Sequence, residues 1–154
     1  MKTTIQELAE QYQQDLVDIR RHLHAHPELS FQEEKTSAFI SEKLHSFGIE
    51  HQTNIGGYGI VGYIKGKHPE KSTIALRADI DGLPIEEKNT CSYASQNNGV
   101  MHACGHDVHT TCLLGAAKIL NELKDNLEGT IKLIFQPAEE KLPGGASILI
   151  KEGV

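Results

Sequence analysis

Over Ile5 to Ala25 the apolar residues Leu8, Tyr12, Leu16, Ile19 and Leu23 recur at three- and four-residue steps with charge between them, a period that predicts an amphipathic helix. Pro27 stops it. His22, His24 and His26 crowd its end, where the helix dipole alone favours imidazoles; they read as local structure, with a ligand or supporting role as the alternative. Ser30-Phe31-Gln32-Glu33 has the form of a capping box and opens a second predicted helix, through Phe39, Ile40, Leu44 and Phe47 to a terminal Gly48.

The period then changes to two. Gly59 to Lys65 alternates Ile60, Gly62 and Ile64 with Val61 and Tyr63, while Ser72 to Ala78 is a short apolar run suited to a buried strand, the two joined by a turn at 67–71. From Ile85 to Val100 the chain is polar and turn-rich, a loop long enough to suggest function. Asp107 is the expected N-cap of a helix over 108–124, with Val108, Cys112, Leu113, Ala116, Ile119, Leu120 and Leu123 on its apolar stripe and Cys112 as a packed core thiol. Gly129 opens a strand over 130–135, and Gly144-Gly145 starts a last helical stretch toward Val154.

Strand 72–78, helix 108–124 and strand 130–135 form a β–α–β unit, so those strands should run parallel and finish at the same edge of a sheet. That edge is where open α/β sheets collect ligands. The predicted fold is α/β, a mixed and largely parallel sheet flanked by helices, with Asp79 and Asp81 brought near Glu139 and Glu140. Being two apart on an extended segment, the aspartates should face one side.

At 154 residues the chain has the size of one domain, and 38% apolar with 23% charged residues is globular composition. The formal charge of −6, with no basic block, excludes a nucleic-acid footprint. Three cysteines without disulfide-like spacing fit a reducing compartment. Neither a secretory h-region nor a membrane-length apolar run is visible, so a cytoplasmic location is expected.

The densest chemistry lies in Met101-His102-Ala103-Cys104-Gly105-His106-Asp107-Val108-His109, where a thiol, imidazoles and a carboxylate crowd around a glycine. Thiolate and imidazole are ligands for zinc and its first-row neighbours, and Gly105 lets Cys104 and His106 turn toward one ion. In Gln136-Pro137-Ala138-Glu139-Glu140 one carboxylate can complete a metal site while its neighbour acts as a base. Two other readings stand beside this one. Cys104 could be a nucleophile with His106 or His109 as base, or the chain could bind metal without turnover.

Four motifs in order carry a resemblance: His-x-His-Pro-Glu-Leu-Ser-Phe-x-Glu (24–33), Arg-Ala-Asp-Ile-Asp-Gly-Leu-Pro (77–84), Met-His-Ala-Cys-Gly-His-Asp-x-His (101–109) and Phe-Gln-Pro-Ala-Glu-Glu (135–140). Together they resemble the M20 metallopeptidase family, in its branch of N-acyl-amino-acid amidohydrolases, hippurate hydrolases and auxin-conjugate hydrolases. The resemblance implies a zinc-exopeptidase-like catalytic domain and a pair of divalent metals, zinc, manganese, cobalt or nickel. Cys104, His106 and Glu140 would be among the ligands, with Glu139 as general base. Asp81 would support the metal site from behind its ligands, and Asp79, Asp107, His109 and His102 are weaker candidates for that role or for the helix start. The implied reaction is hydrolysis of the amide of an N-acyl amino acid, a small-molecule substrate. Family chains are longer and supply two further histidine ligands, an inserted dimerisation domain that makes a homodimer, and much of the substrate pocket. Residues 1–154 therefore resemble the N-terminal part of that catalytic domain, holding one metal or none alone. A metallo-exopeptidase or an N-acetyl-diaminopimelate deacetylase of the same family is the neighbouring alternative.

Overall fold

The structure, a computed structural model, describes residues 2–154. In chain order they form α1 (Lys2–Ala25), α2 (Glu34–Ser46), β1 (Glu50–Ile55), β2 (Gly59–Lys65), β3 (Thr73–Asp79), α3 (His106–Glu122), β4 (Thr130–Gln136) and α4 (Gly145–Lys151), with a short 3-10 turn at Lys124–Asn126. The strands make one sheet in the order β1-β2-β4-β3. As expected, β3 and β4 run parallel, from Thr73 opposite Thr130 to Asp79 opposite Gln136. The sheet is mixed, but β1–β2 and β2–β4 are antiparallel, so parallel pairing is the minority among these strands. The excess comes from β1, a strand whose polar Glu-His-Gln-Thr-Asn-Ile sequence shows no apolar alternation.

Alternation sets which face of the sheet is covered. Ile60 and Ile64 of β2, Leu133 and Phe135 of β4 and Ala78 of β3 join Ile40 and Leu44 of α2, Leu113, Leu114 and Ala117 of α3, and Ile19 and Leu23 of α1 in one buried core. Helices α2 and α3 contact the sheet, and α1 packs against α3. The buried stripe of α3 also includes Thr110, whereas Val108 is 43% exposed and Cys112 is exposed. Cys112 is therefore not a core thiol. The helix is rotated relative to the expected stripe because its core must meet α1 and the sheet at once. No helix among the described residues is long and apolar enough to cross a membrane.

The ends of α2 show how local chemistry was redirected. Gly48 (φ +70°) ends the helix with its N–H donated to the carbonyl of His45, while Ile49 N–H reaches Leu44 O, the paired bonds of a Schellman motif. At the other end Ser30 and Glu33 do not form a capping box. Glu28 does the capping instead: its carboxylate accepts the N–H groups of Lys35 (3.3 Å) and Thr36 (2.8 Å) and the Thr36 hydroxyl (2.8 Å).

Candidate metal centre

Strands β3 and β4 end side by side, with Ile80 N–H donating to Gln136 O at 3.0 Å, and the start of α3 is tied to the same edge by the Thr110 hydroxyl donating to Asp79 O at 2.9 Å. Three segments thereby converge. Cys104, His106 and Glu140 each offer a ligand atom, and these atoms lie within 4.8 Å of one another. Glu139 Oε2 and Glu140 Oε1 both stand 3.9 Å from His106 Nε2.

Gly105 makes the first part of this arrangement possible. It precedes α3 with φ 103° and ψ 18°, a conformation open to glycine, so Cys104 lies in the loop while His106 takes the first position of the helix. Asp107 was expected to cap this helix but falls within its first turn. Its buried carboxylate binds His24 Nδ1 at 2.6 Å and Arg20 Nε at 3.1 Å, joining α1 to α3. His24 Nε2 in turn meets Glu87 at 3.1 Å, which pins the 85–100 loop.

Asp81 organises the imidazole. It is 1% exposed; its backbone carbonyl accepts His106 Nδ1–H at 2.9 Å, and its Oδ1 stands 3.3 Å from the same nitrogen. This fixes the tautomer, leaving the Nε2 lone pair of a neutral ring to face Cys104 and Glu140. Asp81 Oδ2 accepts the Ser30 hydroxyl at 2.6 Å and the Glu140 N–H at 3.0 Å. Burial pushes Asp81 up, yet the bonds from His106, Ser30 and the Glu140 and Glu139 amides outweigh it and set the pKa at about 2. The hydrogen bond to Asp81 holds His106 at about 9 against burial, which pushes it down.

The other expected positions are less closely engaged. Asp79 accepts both Arg77 Nε (3.0 Å) and Nη2 (2.7 Å), two residues back on its own strand, so it is tied to an exposed guanidinium while Asp81 faces His106. His109 is exposed, its ring 5.9 Å from that of His106. His102 is buried with neither ring nitrogen bonded among the described residues, and burial lowers its pKa to about 4. His26 Nδ1 bonds His22 O, the local role expected at the helix end, whereas His22 stacks on Phe39 of α2 and His24 reaches α3 and the 85–100 loop.

Two residues of the site were hidden in the apparent capping box. Ser30 serves Asp81, and Glu33, wholly buried, accepts the N–H of Ala138 at 2.7 Å. Burial pushes Glu33 up, opposed by the amides of Ala138, Glu33 and Phe31. Their helix-start spacing concealed them, and only the bonds of Glu28 to Lys35 and Thr36 show that they are not needed as the cap of α2.

The donor set suits a divalent cation. Around a tetrahedral zinc, sulfur and nitrogen ligands are about 3.5 Å apart, so atoms within 4.8 Å need to close by little more than an ångström. Charge argues the same way. Local desolvation, a bond to Glu140 and the charges of Glu140, Glu139 and Asp79 all push the Cys104 thiol up. A thiol so placed is protonated and a poor nucleophile, and His106 at about 9 is no base at neutral pH. A cation removes both obstacles to ligation by favouring thiolate and neutral imidazole.

The chain is also similar to known proteins. Residues 75–154, more than half of the chain, match the family described as peptidase family M20/M25/M40. The chain is 49% identical over 153 residues to an N-acyl-L-amino acid amidohydrolase of Geobacillus stearothermophilus, covering 99% of this chain and 41% of that protein. It is 51% identical over 141 residues to an N-acetyl-L-cysteine deacetylase of Bacillus subtilis, covering 92% and 33%. The crystal structure of the Bacillus subtilis YXEP protein, described as a dinuclear metal binding peptidase from the M20 family, superposes with a TM-score of 0.88 at 43% identity, covering 94% of this chain and 40% of that one. The chain thus spans between about a third and two-fifths of the length of these relatives. With the family match running from β3 through the His106 loop to the paired glutamates after β4, the chain belongs to peptidase family M20/M25/M40.

Proposed function

We propose that this chain is the N-terminal part of the catalytic domain of a metal-dependent amidohydrolase that cleaves N-acyl amino acids. The observation that carries the proposal is the convergence of Cys104, His106 and Glu140 within 4.8 Å, with Glu139 3.9 Å from the same imidazole nitrogen. Cys104, His106 and Glu140 are the residues that would hold a divalent metal. When bound, it supplies Lewis-acid polarisation of the amide carbonyl and a more acidic water. Glu139, the more exposed glutamate, is the general base: it takes the proton of the attacking water and returns it to the departing amine. Asp81 holds the His106 ring in the tautomer that presents Nε2. Zinc suits the thiolate best, with manganese, cobalt and nickel also matched to carboxylate and imidazole. A second metal, the dimerisation domain, the homodimer and most of the acyl and amino-acid pocket belong to the remaining length of protein that the relatives have, in a cytoplasmic enzyme.

Metal content by mass spectrometry, beside hydrolysis of N-acetyl and N-benzoyl amino acids with and without added divalent metal, tests this reading. Glu139→Gln should retain metal and lose about 10²- to 10⁴-fold in turnover. Equal loss of metal in Glu139→Gln would show that the roles of the two glutamates are reversed. Metal binding without turnover in the 154-residue chain would assign it to the metal-binding part of a catalyst completed by the longer protein.

A further inference from the structure

We infer that Glu33 is a positioning residue: by accepting the Ala138 N–H, its buried carboxylate sets the turn that aims Glu139 and Glu140 at the same point. The inference rests on the proposed roles of those two glutamates, but its physical content concerns the turn itself.

In an extended chain consecutive side chains point to opposite faces. Glu139 and Glu140 nonetheless both approach His106 Nε2 to 3.9 Å. Between the end of β4 and this pair lie Pro137 and Ala138, the latter fully buried and with φ +50°, a left-handed conformation strained for a residue with a Cβ. Such a turn persists only where its surroundings determine it. Gly145 N–H donates to the Ala138 carbonyl at 2.8 Å, and a Cβ on Gly145 would come within 1.8 Å of Pro137 O, so one side is closed by backbone. The other side is held by two carboxylates from distant elements. Glu33 takes the Ala138 N–H at 2.7 Å across 105 residues of chain, and Asp81 takes the Glu140 N–H at 3.0 Å. The amides before and after Glu139 are thus each gripped by an acid.

Helix capping does not explain Glu33, because Glu28 performs it. Nor does solvation, since Glu33 is 0% exposed and its Oε2 has no partner among the described residues. A buried carboxylate is costly, and beyond its own loop the bond it makes is to the turn. Charge is not the requirement; an acceptor at that reach is.

The test is amide hydrogen exchange by NMR on the ¹⁵N-labelled, metal-free chain, with zinc affinity measured by calorimetry on the same samples. Wild type and Glu33→Gln, which keeps an oxygen acceptor at the same length, should protect the Ala138 amide alike and bind zinc within about threefold of each other. Glu33→Ala, and Glu33→Asp, one methylene shorter, should each lose about tenfold or more of Ala138 protection, with zinc affinity falling in parallel. Leu133 in β4 serves as the internal reference for global stability. Unchanged Ala138 protection in Glu33→Ala or Glu33→Asp, with Leu133 also unchanged, overturns the inference. If Glu33→Ala does not fold, the Asp and Gln pair decides alone. Failure of wild type to bind zinc sinks the metal reading, while the exchange data still judge Glu33.

Discussion

Asp81 governs the chemistry of the site through His106. The imidazole's folded pKa of about 9 exceeds its ordinary value of 6.5, so the stabilisation from this pair is fully present below about pH 6.5 and is lost as pH rises through about 9. Asp81 has the opposite sign: its folded pKa of about 2 lies below the ordinary 3.8, so its contribution is present above about pH 4 and lost as pH falls toward 2. Asp81→Asn should therefore cost about 2 kcal/mol or more near pH 6 in urea unfolding of the metal-free chain. The penalty should shrink as pH approaches 9; a penalty constant from pH 6 to 10 would show that His106 does not carry the charge. A metal held by His106 would displace the same proton. Zinc affinity should accordingly rise about tenfold or more per pH unit between pH 7 and 9, with proton release visible as buffer-dependent heat in calorimetry. A flat affinity over that range would contradict the raised His106 and Cys104 values.

Elements with a clear period were legible in the sequence, and those with a second duty were not. Parallel β3 and β4 and the crossover helix α3 followed from apolar runs, and with them the shared edge that gathers Asp81, His106 and Glu140. Strand β1 was invisible because it is a polar edge strand held by main-chain bonds to β2, with at most half-buried side chains. Ser30 and Glu33 had the spacing of a capping box, yet their side chains turn from the helix to serve Asp81 and Ala138. Spacing reports what a local motif could do; only the packing of distant segments decides whether it does so. Gly105 shows the converse, a local requirement that the sequence does display. No atom stands within 4 Å of where its Cβ would be, so Gly105→Ala meets only backbone strain. It should cost about 1–3 kcal/mol in urea unfolding and weaken zinc binding, because relieving the strain moves Cys104 relative to His106. Unaltered stability and affinity would mean that the loop accepts another conformation without disturbing the ligands.

At the scale of the molecule, the sheet is covered on one face by the core helices and has two edge strands, the polar β1 and the more apolar β3. β3 pairs only with β4 among the described residues, and Ile74 on that strand is 64% exposed, with Leu142 (90%) and Ile150 (73%) also on the surface. Unprotected edge strands invite pairing with other chains. The 154-residue chain should therefore self-associate with rising concentration in sedimentation velocity, and Ile74→Lys should reduce that association without lowering the melting temperature. Association identical in the two proteins would move the contact away from β3. Whether the β3–α3–β4 edge is a metal site decides the proposed chemistry. Cobalt(II) titration followed by absorption tests this most directly, because a thiolate ligand adds an intense near-ultraviolet charge-transfer band. Saturation near one cobalt per chain with that band, lost in Cys104→Ala, is the expected result. No cobalt uptake, or the same spectrum in Cys104→Ala, would contradict a metal site there.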